Sequence, residues 1–267
     1  MSCATCHDPE KAWADGRKRA LGRLTELRRN TPSLYNGSRN LAINFFWDGR
    51  ADRLDDAILE AMTSRAEMNL GAGGLERLAG IPGYRRLQAA AFPGAAFTLR
   101  QAAQAIAAFV KAEVSVGLTP FDRFRDDASA LGPGARRGLV LFVGKARCLE
   151  CHAGPFFSDE SFRRNGLAPD AALDDPGRYA VDADPSLWRA FKTPPLRNVA
   201  LTAPYMHDGR LPTLEAVVEF YDRGGDDLDA DAALRSLGLA SEEKADLVAF
   251  LEALTGPRAK VRRPSLP

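Results

Sequence analysis

The sequence predicts a mostly α-helical fold built from two related halves. Three observations carry that expectation. The pattern C-x-x-C-H occurs twice, as Cys3-Ala4-Thr5-Cys6-His7 and as Cys148-Leu149-Glu150-Cys151-His152. Each copy is followed by the same further elements in the same order. Strand-like alternation is sparse, whereas apolar residues at helical spacing close each half.

After the first motif comes Thr31-Pro32-Ser33-Leu34-Tyr35-Asn36, and after the second comes Thr193-Pro194-Pro195-Leu196-Arg197-Asn198. An aromatic-rich turn follows in each half, Phe45-Phe46-Trp47-Asp48-Gly49-Arg50 and Tyr205-Met206-His207-Asp208-Gly209-Arg210. Leu54 and Leu214 stand four residues beyond the two arginines. Apolar spacing then predicts helices over residues 102–114 and 242–254, which carry Ala108-Phe109 and Ala249-Phe250. One D-G turn is commonplace; four elements repeated in order imply duplication. The halves are expected to meet at Leu131-Gly132-Pro133-Gly134, which reads as a linker, giving domains of residues 1–131 and 132–267. Residues 135–143 are expected to be the helix leading into the second motif.

C-x-x-C-H is the attachment signal for c-type haem. Two thiols at this spacing form thioethers to the two vinyl groups of one porphyrin, and the adjoining histidine reaches the iron. All four cysteines fall in the two motifs, and two of the three histidines end them. A thioredoxin-like pair needs only one C-x-x-C, beside a βαβ pattern, and no histidine. A four-cysteine zinc site usually keeps its pairs about 15–20 residues apart, and these lie in opposite halves. The sequence therefore implies two covalently attached haems, held by Cys3, Cys6 and His7 and by Cys148, Cys151 and His152.

Composition bounds the rest. Of 267 residues 45% are hydrophobic and 27% charged, ordinary for one large globular domain or two smaller ones. A formal net charge of +1 gives no case for nucleic-acid binding. No apolar run approaches about 18 residues, so no membrane span is expected. The basic stretch 258–263 reads as a solvated end. Haem is attached to this motif outside the bacterial cytoplasm, so the periplasm is expected. Met1-Ser2 leads straight into Cys3, so an export signal is expected to have been removed.

The two halves differ at one informative position. Tyr221 stands eleven residues beyond Arg210, and Ala61 stands eleven beyond Arg50. A tyrosine can ligate haem iron, and an alanine cannot. If this position faces the iron, the second haem is six-coordinate and the first is open to a small oxidant. A core aromatic on an amphipathic helix is the plainer reading of Tyr221. Met206 and His207 are rival ligands, and spacing alone leaves the three open. Cleavage of peroxide at an open haem needs a distal proton carrier. Glu67 follows Ala61 by six residues and suits that role, although Glu is usually a surface residue.

The chain resembles the bacterial dihaem cytochrome c peroxidase and MauG family over nearly its full length. The residues that carry this are the two haem motifs, Asn30-Thr31-Pro32-Ser33, Phe46-Trp47-Asp48-Gly49-Arg50-Ala51, Ala66-Glu67-Met68, and Lys192-Thr193-Pro194-Pro195-Leu196-Arg197-Asn198-Val199-Ala200-Leu201-Thr202-Ala203-Pro204-Tyr205. The resemblance implies two class-I cytochrome c-like domains with a calcium ion between the haems. Its ligands would be the Asn30 side chain and the carbonyls of Thr202 and Pro204, an oxygen set that suits a hard cation. Trp47 matches the family's electron relay between the haems, and Glu67 its distal acid. Tyr221 matches the second-haem ligand of MauG-like members, where the cytochrome c peroxidase branch has methionine. Met206 is kept as the alternative. An anionic oxygen ligand favours the oxidised iron, so peroxide oxidation is expected to spread over both haems as a high-valent state.

Three departures follow from the same resemblance. The peroxidase branch carries a capping histidine after the first motif, and residues 21–27 contain none. The expected distal glutamine and proline are replaced by Ala57 and Ala61. MauG has a surface tryptophan just before its second motif, where this chain has Ala146 and Arg147. Methylamine dehydrogenase precursor is therefore not the expected substrate, and Trp188 or Trp13 is the exit to consider.

The leading expectation is a periplasmic MauG-like enzyme that uses hydrogen peroxide to oxidise a Trp or Tyr side chain of a partner protein at a distance. The second is a cytochrome c peroxidase that removes peroxide with a small cytochrome or cupredoxin donor. The third is a dihaem electron carrier with both irons capped, which is not an enzyme.

Overall fold

The computed structural model describes residues 1–35, 44–114, 117–258, 261 and 265–267. Asn36, the last residue of the first Thr-Pro element, lies outside these, as does most of the basic stretch 258–263. Ten α-helices occur among the described residues: α1 Cys3–Cys6, α2 Leu54–Thr63, α3 Ala72–Gly80, α4 Pro82–Ala91, α5 Leu99–Glu113, α6 Pro120–Phe124, α7 Pro133–Val143, α8 Tyr179–Asp182, α9 Leu214–Asp222 and α10 Ser241–Glu252. Two short strands, β1 Phe162–Arg163 and β2 Phe191–Lys192, pair antiparallel. The mostly helical expectation holds, with long ordered loops between helices.

In the first half α5 packs on α2. Ala103, Ala107 and Val110 are the buried residues of α5, spaced to form one stripe. Ala107 and Val110 build one apolar cluster with Leu54, Ile58, Tyr35 and Trp13. The helix starts three residues ahead of the predicted position because Thr98 accepts a hydrogen bond from the Gln101 N–H, capping an extra turn. Arg100 reaches across to Asp55 and Asp56 at the start of α2.

The second half has its own cluster, where α10 packs on α7 and α9. Phe121, Phe142, Phe157 and Phe250 meet there with centroids 5.1–6.1 Å apart, mostly edge to face. Each such pair contributes about 0.5–1.5 kcal/mol beyond its buried area. α7 and α10 approach closely at Gly138, where an added Cβ would lie 1.9 Å from the Asp246 carbonyl oxygen. Arg137 locks the crossing with paired hydrogen bonds of 2.7 Å to Asp246.

Pro133 and Gly134, read from sequence as linker, are instead the first turn of α7, since proline suits a helix N-terminus. The short helix α6 precedes that point yet packs with the second cluster. Its Phe121 N–H donates to the Ala253 carbonyl, and Asp122 pairs with Arg197 at 2.8 Å.

The two aromatic turns are built alike. Phe45 N–H donates to the Ala51 carbonyl and Tyr205 N–H to that of Leu211, each at 2.7 Å. Phe46 and Met206 share positive φ (67° and 75°), as do Gly49 and Gly209 (65° and 67°). Each turn packs on the other half. A Cβ on Gly49 would meet the Phe162 ring at 2.3 Å, and one on Gly209 the Lys18 carbonyl oxygen at 2.0 Å. Glycine is required at both for its backbone conformation and for this close approach.

Candidate dihaem site

The two C-x-x-C-H segments fold so that the histidine is presented the same way. The His7 N–H returns to the Cys3 carbonyl at 2.8 Å and the His152 N–H to that of Cys148 at 2.9 Å. His7 Nδ1 lies 3.0 Å from the Trp13 carbonyl oxygen, and His152 Nδ1 lies 2.8 Å from that of Phe157. With Nδ1 donating to a carbonyl, Nε2 is left with its lone pair for a metal. Burial pushes both imidazoles below the ordinary histidine range, which keeps them neutral as ligands.

The four cysteines form no disulfide. Burial pushes every thiol up, Cys148 to about 12. Thiol–disulfide chemistry needs the opposite, a depressed thiol. Among the described residues no three His, Cys, Asp or Glu side chains gather as a metal cluster, so the pairs are separate sites. Paired, unbridged thiols beside a histidine with a free Nε2 are what a thioether-bound haem requires. Near the first motif the buried Trp13 Nε1 has no acceptor, an unmet donor of the kind a bound group satisfies.

A large cavity opens at the second motif, lined by Cys148, Cys151 and His152 and by Leu214, Val218, Met206 and Tyr221. The Tyr221 hydroxyl lies 3.9 Å from the Met206 sulfur, so both rival ligands enter one cavity. Burial pushes the Tyr221 phenol up. His207 is placed elsewhere. Its ring stacks on Phe191 (3.6 Å between centroids, 12° between planes) and lines a separate polar cavity with Arg189 and Arg210. His207 thus lies outside the second-motif cavity, and its carbonyl accepts from the Asn30 N–H at 2.7 Å.

The same cavity reaches the first half at Asn30, Thr31 and Trp47, and it is bordered by Thr202 and Pro204. Trp47 is held from both sides. Its Nε1 donates to the Asn30 carbonyl at 2.9 Å, and its own carbonyl accepts the Lys192 N–H at 2.8 Å. Asn30 Nδ2 donates to the Arg17 and Lys18 carbonyls at 2.8 and 3.4 Å. Sequence reasoning gave Lys192 no role of its own; its ammonium is half-buried and donates to the Asn44 carbonyl at 2.6 Å. Burial pushes its pKa down, opposed by Glu160. A lysine next to the apolar Phe191 was the available signal.

At the first motif Cys3 Sγ lies 4.0 Å from Met68 Sδ, and Cys6 Sγ lies 3.8 Å from the Leu21 carbonyl oxygen. The Ser64–Met68 turn therefore faces this motif, and Glu67 with it. Burial raises the Glu67 carboxyl, Arg50 opposes and Glu60 adds. The Met68 N–H donates to the Ala61 carbonyl at 3.3 Å, tying this turn to α2. Ala61 and Tyr221 are each the eighth residue of their helices, α2 and α9. Residues 20–27, where a capping histidine is absent, form a closed hairpin in which Leu27 N–H donates to the Ala20 carbonyl at 2.8 Å.

This arrangement defines a class: a protein with two separate C-x-x-C-H sites, the second opening on a cavity that Tyr221 and Met206 line. Residues 1–130 match the di-haem cytochrome c peroxidase family model. Over its whole length the chain is 40% identical to methylamine utilization protein MauG of Methylorubrum extorquens, covering 76% of that protein. It is 36% identical to cytochrome-c peroxidase IdrP2 of Denitromonas iodatirespirans, covering 79% of it and all of this chain. A crystal structure of a MauG-like protein associated with microbial copper homeostasis superposes with a TM-score of 0.87 at 29% identity, over 96% of this chain and 84% of that one. The chain belongs to the di-haem cytochrome c peroxidase and MauG family. It is an oxidoreductase of the haem-dependent peroxidase class, and two haems are its cofactors. No described helix is long and apolar enough to cross a membrane.

Proposed function

We propose that the chain is a periplasmic MauG-like enzyme that reduces hydrogen peroxide and draws the electrons from a side chain of a partner protein. The observation that carries this reading is the asymmetry of Ala61 and Tyr221 at one helical register, with the Tyr221 hydroxyl inside the second cavity. Two covalently held haems would supply the iron that accepts oxygen from peroxide and stores the oxidising equivalents. Cys3, Cys6 and His7 would hold the first, and Cys148, Cys151 and His152 the second. Glu67 takes the proton from one peroxide oxygen and returns it to the other. Trp47, fixed through Asn30 and Lys192, relays electrons between the two sites. Tyr221 would hold the second iron as a phenolate, since burial makes the phenolate unfavourable unless a cation meets it.

Calcium fits the seam between the sites. The Asn30 amide nitrogen is spent on two carbonyls, which leaves Oδ1 for a cation, and Thr202 and Pro204 border the same cavity. The two local repeats support a duplicated pair of cytochrome c-like domains. Trp188 is the exit favoured by exposure, at 44% against 6% for Trp13. Replacing Tyr221 by Phe tests the reading: peroxide should still react while the oxidised state decays faster, and an unchanged lifetime would remove Tyr221 from it.

A second reading, a peroxidase fed by a small cytochrome or copper protein, is favoured by one observation. Met206 Sδ sits beside Tyr221 in the same cavity and offers the methionine ligand that such electron-collecting haems use. Fast steady-state turnover with a reduced small cytochrome would select it.

A further inference from the structure

Every close pair of aromatic rings among the described residues but one contains a phenylalanine, a ring that resists oxidation. The exception joins Tyr179 to Trp188, with centroids 5.0 Å apart and planes at 68°. Edge-to-face packing at this separation lays the rim of one ring on the other. Both rings can give up an electron and a proton.

The two stand near the ends of one closed loop. Arg178 N–H donates to the Ala190 carbonyl at 2.7 Å, and Arg189 N–H to that of Pro176 at 2.8 Å. Gly177 permits this closure at a φ of 61°, where an added Cβ would lie 2.4 Å from the Ala190 carbonyl oxygen. The arginine beside each ring is anchored as well. Arg178 donates to the Asp48 and Gly49 carbonyls at 3.1 and 2.8 Å, and Arg189 meets Asp227 at 2.9 Å. The rings are therefore held in contact, the condition under which a coupling reaction outruns diffusion of either partner.

Trp188 lines the polar cavity that His207 also lines. No residue of either C-x-x-C-H motif borders that cavity, so the pair lies outside the haem sites. It is nevertheless close to one. His207 stacks on Phe191, and Phe191 borders the second-motif cavity. The backbone runs from Trp188 through Arg189 and Ala190 to the same Phe191.

We infer that Tyr179 and Trp188 form a self-modification site, joined by a carbon–carbon bond when the protein reacts with peroxide and no partner is bound. The inference rests on the reading that oxidising equivalents leave the second site toward Trp188. Each ring gives up one electron. A ring carbon beside the Tyr179 hydroxyl then bonds to a ring carbon of the Trp188 indole, and the hydrogens on those two carbons leave as protons. The two electrons and two protons reduce one hydrogen peroxide, whose O–O bond breaks to give two waters. No other reactant is consumed, so one peroxide links one loop.

The test gives one equivalent of hydrogen peroxide to the haem-loaded protein without a partner, follows the haem absorbance, and then digests the chain with trypsin. Cleavage after Arg178 and Arg189 frees residues 179–189 as one peptide. Its mass should fall by two hydrogens. Further cleavage before Asp182 and Asp184 should leave the Tyr179 and Trp188 fragments joined. Tyr179→Phe and Trp188→Phe should each abolish the mass loss, and Tyr179→Phe should leave the absorbance response intact. If the haem absorbance responds but the peptide keeps its mass, or only gains oxygen, the inference is overturned and the functional reading stands. A covalent dimer of chains on a denaturing gel, in place of the linked peptide, would overturn it equally. Absorbance that peroxide leaves unmoved would strike the functional reading and the inference together.

Discussion

The Tyr221 hydroxyl and the Met206 sulfur lie 3.9 Å apart in the cavity of the second haem motif. Both line the cavity that His152 also lines, so the two candidate ligands meet at one place in this chain. Tyr221→Phe and Met206→Leu separate them. If Tyr221 is the ligand, only the first changes the low-spin spectrum and shortens the life of the peroxide-oxidised state, both read by stopped-flow absorbance.

In the proposed reading Glu67 controls the first site through its protonation. Burial holds its carboxyl above the ordinary glutamate range. As a base it must be ionised to accept the peroxide proton, so the rate of reaction with peroxide should fall as pH drops through that raised value. Glu67→Gln should lose this dependence and slow the reaction by about 10²–10⁴-fold, the usual contribution of a positioned proton carrier. A variant as fast as wild type would exclude the role.

The Asn30–Trp47 hydrogen bond joins the residue proposed to hold calcium to the proposed electron relay. Removing calcium with a chelator, or replacing Asn30 by Ala, should lower bound calcium measured by atomic absorption and slow equilibration between the haems. Loss of calcium with unchanged equilibration would uncouple the two.

Asp122 ties α6 to the second-half core. Burial raises its pKa, but hydrogen bonds from Arg197 and Thr119 outweigh this and hold it at about 2. A carboxyl depressed from the unfolded value stabilises the fold above that value, and the contribution is lost as pH falls from about 4 to 2. Asp122→Asn should cost roughly 1–2 kcal/mol near neutrality, with a smaller cost at pH 2, in urea unfolding.

Gly209 and Gly49 make the reciprocal contacts between halves. Gly209→Ala places a Cβ against the Lys18 backbone at a positive φ, so it should destabilise by more than about 1 kcal/mol in thermal unfolding. The exposed, helical Gly80, where an added Cβ meets nothing, should tolerate the same change.

What was legible in the sequence is what is local. The haem motifs, the paired aromatic turns and the closing helices each depend on residues a few positions apart, and each lies where its pattern put it. α3 and α4 were missed because glycines at 71, 73 and 74 and Pro82 break the apolar period into runs too short to read. The Trp47–Lys192 and Arg29–Asp175 contacts join residues about 145 positions apart. No periodicity announces such pairs. For the same reason spacing left Tyr221, Met206 and His207 open. Only the stacking of His207 on Phe191 separates it from the other two.

The most direct measurement is the low-temperature EPR spectrum of the ferric protein before and after one equivalent of hydrogen peroxide. An open first site beside Ala61 and a second site capped by Tyr221 predict one high-spin and one low-spin signal, both lost together on peroxide addition. Two low-spin signals that peroxide leaves unmoved would contradict the roles of both Glu67 and Tyr221.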